Sequence, residues 1–222
     1  MEATVGKWLP WLREQAGLRF GLELDEATVQ RLGRFADELL RWNTKVNLTS
    51  IVLPEQVVEK HLLDSLSLVR HVPEGATVID VGSGGGLPGL PLGIVRPDVT
   101  VLLVDRTEKK VTFLKATTAA LGLANVRARA CRLEVGAIAG LGPFDVAVSR
   151  AFAAPESWLP LARELVRPGG RMVAMLGNAL PPEGGRGELL GKDRLLEEDR
   201  FELPGGDRRA LWVVERADER ST

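Results

Sequence analysis

The sequence predicts a doubly wound α/β domain: a mostly parallel sheet with an antiparallel edge hairpin, preceded by an N-terminal helical cap. Three observations carry this. From Thr77 onward, short β-rich runs alternate with helical stretches, the pattern of a parallel sheet covered on both faces. The first of those runs ends in "DVGSGGGLPGLP", a glycine-dense turn set between a strand and a helix. Residues 1 to about 72 have a different texture and read as helical. The expected organisation is a cap over 1–72 and a core over 73–222, forming one compact unit.

Each element has its own signal. In "LDEATVQRLGRFADELLRW", Asp25 is a suitable N-cap, and Val29, Leu32, Ala36, Leu39 and Leu40 fall on one helical face. "PEQVVEKHLLDSLSLV" opens with proline at a favoured helix start and repeats Val58, Leu62, Leu66 and Val69 at helical spacing. Six strands are expected: "TVIDV", "VTVLLVD", "VRARA", "FDVAVSR", "RMVAML" and "LWVVE". Helices are expected over Leu87–Val95, Lys109–Leu121 and Glu156–Val166, the last stopped by "RPGG". The turn-rich "LPGGD" predicts the edge hairpin. Trp8, Trp11 and Phe20 are expected in the core.

Composition excludes several classes. The single cysteine, Cys131, permits no intramolecular disulfide and no CxxC metal site, so no metal is expected, and Cys131 itself is expected to be a small core residue. No apolar run approaches the roughly 18 residues of a membrane span. The start "MEATVGKWLP" lacks the pattern of a signal peptide, which makes the cytoplasm the expected location. A formal charge of −1 and a pI near 6.2 give no global attraction to nucleic acid. Any RNA contact must use local clusters.

Five glycines fall within the ten residues after Asp80, where a plain strand-to-helix turn needs one or two. The position is the crevice in which open α/β sheets bind ligands. Gly82, Gly84 and Gly86 would let a nucleotide-like ligand lie against the backbone, and Asp105, ending the second strand, is placed for ribose hydroxyls. Gly84, Gly86 and Gly89 also fit the dinucleotide fingerprint. Asp80 argues for S-adenosylmethionine over NAD, because a carboxylate there repels a pyrophosphate but favours a cationic amino-acid end. The tighter Gly82-x-Gly84-x-Gly86 pattern and the lack of a second catalytic domain point the same way.

"DVGSGGGLPGLPL", "VDRTEKKVTFLK", "FDVAVSRAFA", "KVNLTSI" and "KHLLDSL" resemble, in order from about residue 40 to 215, the ribosomal RNA small-subunit methyltransferase G family, also called glucose-inhibited division protein B. The resemblance implies a class I, Rossmann-like methyltransferase that uses S-adenosylmethionine to methylate N7 of a guanine in 16S rRNA (position 527, in the 530 loop), leaving S-adenosylhomocysteine. It implies that Gly82 and Leu87 line the methionine and ribose end, that Leu133 and Glu134 flank the adenine, and that Arg150 sits at the mouth of the cofactor site. Two positions depart from the family pattern. Leu176-Gly177 stands where the family has Lys-Gly, and Arg209-Ala210-Leu211 where it has Arg-His-Leu. Both changes remove a polar group that could touch RNA and leave Arg209 as a candidate contact.

Guanine N7 carries a lone pair and no proton, so its methylation needs no general base. Holding donor and acceptor in line can itself supply roughly 7–11 kcal/mol. The sequence also lacks the Asn/Asp-Pro-Pro-aromatic motif of adenine-N6 enzymes, since Pro181-Pro182 is flanked by Leu180 and Glu183. Arg150 is expected to act by orientation and electrostatics, holding a base or phosphate through its planar fork. Further substrate candidates are Lys109 and Lys110 among the cations of 106–115, the arginines of 127–132, and Asn47, His61, Asp64 and Ser65. Thr49 shares the Asn47 loop and could cap or hydrogen-bond there. His61, Asp64 and Ser65 share one helix face but are not expected to form a triad. Local hydrogen bonding is the competing role for these polar residues. The acid-rich stretch 183 to 202 is expected to face away from phosphate. The favoured function is rRNA methylation by a monomer acting on the small ribosomal subunit. A small-molecule methyltransferase and, behind it, a NAD-dependent oxidoreductase are the alternatives.

Overall fold

A computed structural model describes residues 4–138, 140–150, 154–177 and 186–218. Pro181-Pro182 and the first residues of the 183–202 stretch lie outside the described residues.

Among the described residues, three longer helices and a 3₁₀ turn at Val69–His71 precede the sheet. After a 3₁₀ turn at Val5–Trp8, α1 spans Leu9–Phe20 and α2 spans Glu26–Asn43. Asp25 caps α2, accepting the Thr28 N–H at 2.7 Å. The expected face is buried, with Phe35 added and Leu40 only partly covered. The third helix, α3, is α-helical over Pro54–Val57, π-helical over Val58–Leu63 and α-helical again over Asp64–Leu66. Such π-turns often mark functional positions.

Seven strands follow: β1 Thr77–Val81, β2 Thr100–Asp105, β3 Val126–Ala130, β4 Phe144–Arg150, β5 Val166–Leu176, β6 Arg194–Glu202 and β7 Arg208–Glu215. Between them lie α4 (Gly89–Val95), α5 (Glu108–Ala120), α6 (Pro155–Leu165) and α7 (Arg186–Leu190). The strand order is β3-β2-β1-β4-β5-β7-β6. The first five strands are parallel, and β7 is antiparallel to both β5 and β6. The order reverses direction between β1 and β4, the switch point at which such sheets bind ligands.

Alternation along the strands divides the core in two. Val78, Val101, Leu103, Val146, Val148 and Val173 face one side and share a cluster with the cap helices, α4 and α5. Ile79, Val104, Ala147, Met172 and Trp212 face the other and pack against Trp158, Leu159 and Leu165 of α6. Trp8 and Trp11 meet edge to face at 6.2 Å and pack on the first cluster. Phe20 meets Phe201 of β6 at 5.5 Å, tying the cap to the sheet edge.

Two elements differ from the sequence-based expectation. β6 is absent from the six predicted runs because its residues are mostly charged and its burial is partial, as suits an edge strand protected from further pairing. The helix before "RPGG" ends at Leu165, one residue short of the expected stop, but the segment that follows is not a loop. It lies inside β5 as an irregularity between the Phe144–Val166 and Val146–Arg171 pairs, and Gly169 and Gly170 exchange backbone hydrogen bonds with Arg216 of the neighbouring chain segment. Tertiary pairing thus extends a strand through residues that locally signal a turn.

Candidate active site

The glycine turn closes through its own backbone. Gly82, Gly84 and Gly86 have φ of 73°, 52° and 83°, the left-handed region in which a β-carbon is strained. Asp105 braces the turn: Oδ2 accepts the Gly84 N–H at 3.0 Å and Oδ1 accepts the Thr107 N–H at 2.8 Å. Gly89 serves close packing. A β-carbon there would lie 2.2 Å from Leu103 Cδ2 and 2.7 Å from Asp80 Oδ2.

A cavity of ≈ 520 Å³ opens at the C-terminal ends of β1, β2 and β3. Its walls include Gly82, Asp105, Lys110, Cys131, Leu133 and Glu134. Four of the expected cofactor residues therefore converge, but others do not line it. Gly86 faces inward, where a β-carbon would meet Leu90 and Leu114, and Leu87 is buried. Cys131, expected in the core, is half-buried on the cavity wall, because the chain leaves β3 there.

Asp80 lies buried beneath the turn. Its Oδ2 accepts the Gly89 N–H at 2.9 Å, while Oδ1 has no hydrogen-bond partner among the described residues. Burial pushes its carboxyl up to about 7, against the opposing pull of the Gly89 N–H and of Arg150. Asp80 does not line the cavity but precedes Gly82 on its wall by two residues. An orphaned buried carboxyl oxygen behind the turn, with the Asp105 carboxylate on the wall, fits a ligand with a cationic amino-acid end and a ribose.

Arg150 borders a second cavity. Two residues beyond the paired Asp80 and Val148 stand Gly82 on the first cavity and Arg150 on the second. The second cavity, ≈ 390 Å³, lies between α3, the ends of β4 and β5, and the start of β7. It is walled by Ile51, Lys60, His61, Asp64, Met175 and Leu211, together with Leu176, Arg209 and Ala210. Both positions that depart from the resembled family thus lie on this wall.

The guanidinium of Arg150 donates from Nη1 to Lys60 O and Asp64 Oδ2, both at 3.1 Å, and from Nη2 to His61 Nδ1 at 3.3 Å. Nδ1 stands between the Arg150 donor at 3.3 Å and the Lys60 carbonyl acceptor at 3.1 Å, while Nε2 faces Thr49 Oγ1 at 2.7 Å, a hydroxyl that can donate or accept. Burial, then the Arg150 charge, lowers His61 to about 4, and it is neutral at physiological pH. Burial raises Asp64 and the two arginines pull it back.

The remaining candidates separate. Lys110 lines the first cavity and Arg209 the second, whereas Lys109 is exposed on α5. Ser65 is spent within its own helix, donating to His61 O at 2.6 Å. Asn47 is exposed. The loop is instead organised by Asn43, whose Oδ1 accepts the N–H groups of Leu48 and Thr49. Sequence reasoning passed over Asn43, although an Asn at a helix end before a polar loop is a usable signal. Among the described residues one group, His71, Glu197 and Asp199, brings metal-ligand atoms within 4.8 Å of one another. Arg70 closes it with ion pairs to both carboxylates. No helix among the described residues is long and apolar enough to cross a membrane.

Comparisons with known proteins bear on the fold and the family. The fold is shared with solved structures of a SAM dependent methyltransferase from Aquifex aeolicus (TM-score 0.55, 19% identity, covering 72% of this chain and 93% of that one) and of 1,6-didemethyltoxoflavin-N1-methyltransferase from Burkholderia thailandensis (TM-score 0.54, 21% identity, 70% and 77%). The ribosomal RNA small subunit methyltransferase G of Geobacter sp. (strain M21) is 40% identical over 210 residues, 92% of this chain and 96% of that protein. That of Myxococcus xanthus is 50% identical over 148 residues, 66% and 68% of the two chains. The family model described as rRNA small subunit methyltransferase G matches residues 28–185. The chain belongs to the rRNA small subunit methyltransferase G family.

Proposed function

We propose that this methyltransferase transfers the methyl group of S-adenosylmethionine to N7 of a guanine in 16S rRNA, acting as a cytoplasmic monomer on the small ribosomal subunit. The observation that carries the reading is the pair of cavities at the switch point, one beside Gly82 and one beside Arg150. A nucleoside donor and the acceptor purine would occupy adjacent sites, the purine presenting the N7 edge that base pairing leaves open.

When bound, S-adenosylmethionine supplies an electrophilic methyl group and loses its sulfonium charge. In this reading Asp105 holds the ribose hydroxyls, and Leu133 and Glu134 border the adenine. The free oxygen of Asp80 receives the ammonium group through the turn that Gly82 and Gly84 keep open. Arg150 orients the acceptor. No side chain has to remove a proton, and neutral His61, committed to Thr49 and Arg150, serves to hold Arg150 in place. Helices 1–72 act as a cap that closes the acceptor side of the core 73–222. Membership of a methyltransferase family leaves no support for hydride transfer with NAD.

The test exposes 30S subunits and naked 16S rRNA, both lacking the modification, to tritiated S-adenosylmethionine and this protein. Borohydride and aniline then cleave the RNA at 7-methylguanine. A single labelled cleavage site is the expected result. No label in either RNA, with S-adenosylhomocysteine still bound, overturns the rRNA reading in favour of a small-molecule acceptor.

A further inference from the structure

The wall of the second cavity holds a buried carboxylate between two guanidinium groups. Asp64 is 4% exposed. Its Oδ2 accepts Arg150 Nη1 at 3.1 Å, and Arg209 Nε stands 3.5 Å from Oδ1. Oδ1 has no hydrogen-bond partner among the described residues, so the second contact is an ion pair without a formed hydrogen bond. Arg209 is steadied further by Asp207 Oδ2 at 3.4 Å and by Arg208 O at 2.9 Å. Nearby Lys60 is already matched by Asp207 at 2.9 Å. The cavity wall therefore carries Asp64 against Arg150 and Arg209, with Lys60 on the same wall paired to Asp207, which Arg209 also meets. Asp64 opens the α-helical turn that follows the π-helical stretch of α3, and Lys60, His61 and Asp64 reach the same wall.

The walls suit a planar base, with Ile51, Met175 and Leu211 apolar and the arginines at one edge. A base methylated at N7 must keep the N7 lone pair free, so donors at that edge must be confined to O6. A guanidinium free to swing would cover both atoms. Methyl transfer also moves charge: the N7 lone pair forms the new N–C bond, the C–S bond breaks with its pair left on sulfur, and the positive charge passes to the purine. No proton moves. Two unneutralised arginines at that point would oppose the step.

We propose, resting on the guanine-N7 reading above, that Asp64 is the positioning residue of the acceptor cavity. It holds Arg150 and Arg209 on the O6 edge and offsets their charge as the purine becomes cationic.

The prediction distinguishes this from a merely structural role because binding and turnover move in opposite directions. In Asp64→Asn, freed arginines bind phosphate more readily. The affinity for a 16S rRNA fragment in the presence of S-adenosylhomocysteine rises, and the salt slope of log K steepens by about one. In the same variant kcat for 7-methylguanine formation falls roughly 100-fold, as when one preorganised contact is lost. Affinity for S-adenosylhomocysteine, measured by calorimetry, stays at the wild-type value. Unchanged kcat, or RNA affinity and kcat falling together, overturns the proposal. Should Asp64→Asn not fold, Asp64→Glu carries the test. It keeps the charge but displaces it by one methylene, so kcat falls while RNA affinity and salt slope stay unchanged, and a wild-type kcat overturns the proposal. Absence of 7-methylguanine with the unaltered protein overturns the guanine reading and this inference together, whereas a normal wild-type signal with a normal Asp64→Asn signal sinks the inference alone.

Discussion

The N–H of Gly84 and the carboxylate of Asp105, 21 residues apart in sequence, are joined by a hydrogen bond of 3.0 Å. That bond links the turn after β1 to the end of β2, beside the backbone bonds from Gly82 N–H and Ser83 N–H to Val104 O at 2.8 and 3.0 Å. Asp105 is 7% exposed and satisfies two backbone donors. Its carboxylate is thus fixed before any ribose arrives, which limits the ordering that binding must supply.

Replacing Asp105 by alanine should therefore weaken S-adenosylhomocysteine binding by about 10- to 100-fold, the range set by about 1.5–3 kcal/mol for charge-assisted hydrogen bonds. Titration calorimetry measures this directly. RNA affinity in the absence of the nucleoside should be unaltered, and wild-type nucleoside affinity in the variant would refute the role.

Gly89→Ala tests the seat of the turn. The added methyl would meet Leu103 and Asp80 inside ordinary contact distance, so α4 must move away from β2. A loss of about 1–3 kcal/mol is expected, lowering Tm by roughly 2–4 °C for each kcal/mol in a chain of this size. Thermal unfolding that matches wild type would show that the helix shifts without cost.

Leu39 of α2 reaches the same turn from the cap. A β-carbon on Gly85 would lie 2.9 Å from Leu39 Cδ1, and Leu39 itself is fully buried. Leu39→Ala should cost about 2–5 kcal/mol in urea unfolding. It should also weaken S-adenosylhomocysteine binding, since one side of the turn loses its support. Destabilisation with unchanged affinity would separate the cap from the nucleoside site.

Two buried groups give opposing pH dependences. Folded His61 titrates at about 4 against an ordinary 6.5. Between those values the unfolded chain holds a proton the folded chain lacks, so stability rises with pH. Folded Asp80 titrates at about 7 against 3.8, and in that window the folded chain holds the extra proton, so stability falls with pH. Wild type should show a shallow net slope between pH 4 and 7. Asp80→Asn should leave the rising limb and His61→Gln the falling one, read from unfolding midpoints at each pH. The same slope in all three proteins would remove both assignments.

Much of this protein was legible in the chain itself. Apolar runs such as "TVIDV" and "FDVAVSR" became strands with the expected bounds, because their residues are buried on both faces and alternate cleanly between two clusters. Asp25 capped its helix as its position required, since capping is local. The glycine turn, with "KVNLTSI" and "SRAFA", carried the family, and Gly82, Asp105, Leu133 and Glu134 line one cavity. What the chain alone did not reveal depends on partners far away in sequence. β6 became a strand because β7 offered it an edge, and "RPGG" joined β5 because Arg216 lay beside it. The division of labour among the glycines was likewise tertiary, with Gly84 turning the chain and Gly86 and Gly89 admitting leucines. Most of all, the convergence of Asp64, Arg150 and Arg209 from three separate elements on one buried wall was set by packing. Charges that read as separate surface candidates in sequence became a single coupled group once burial removed the water between them.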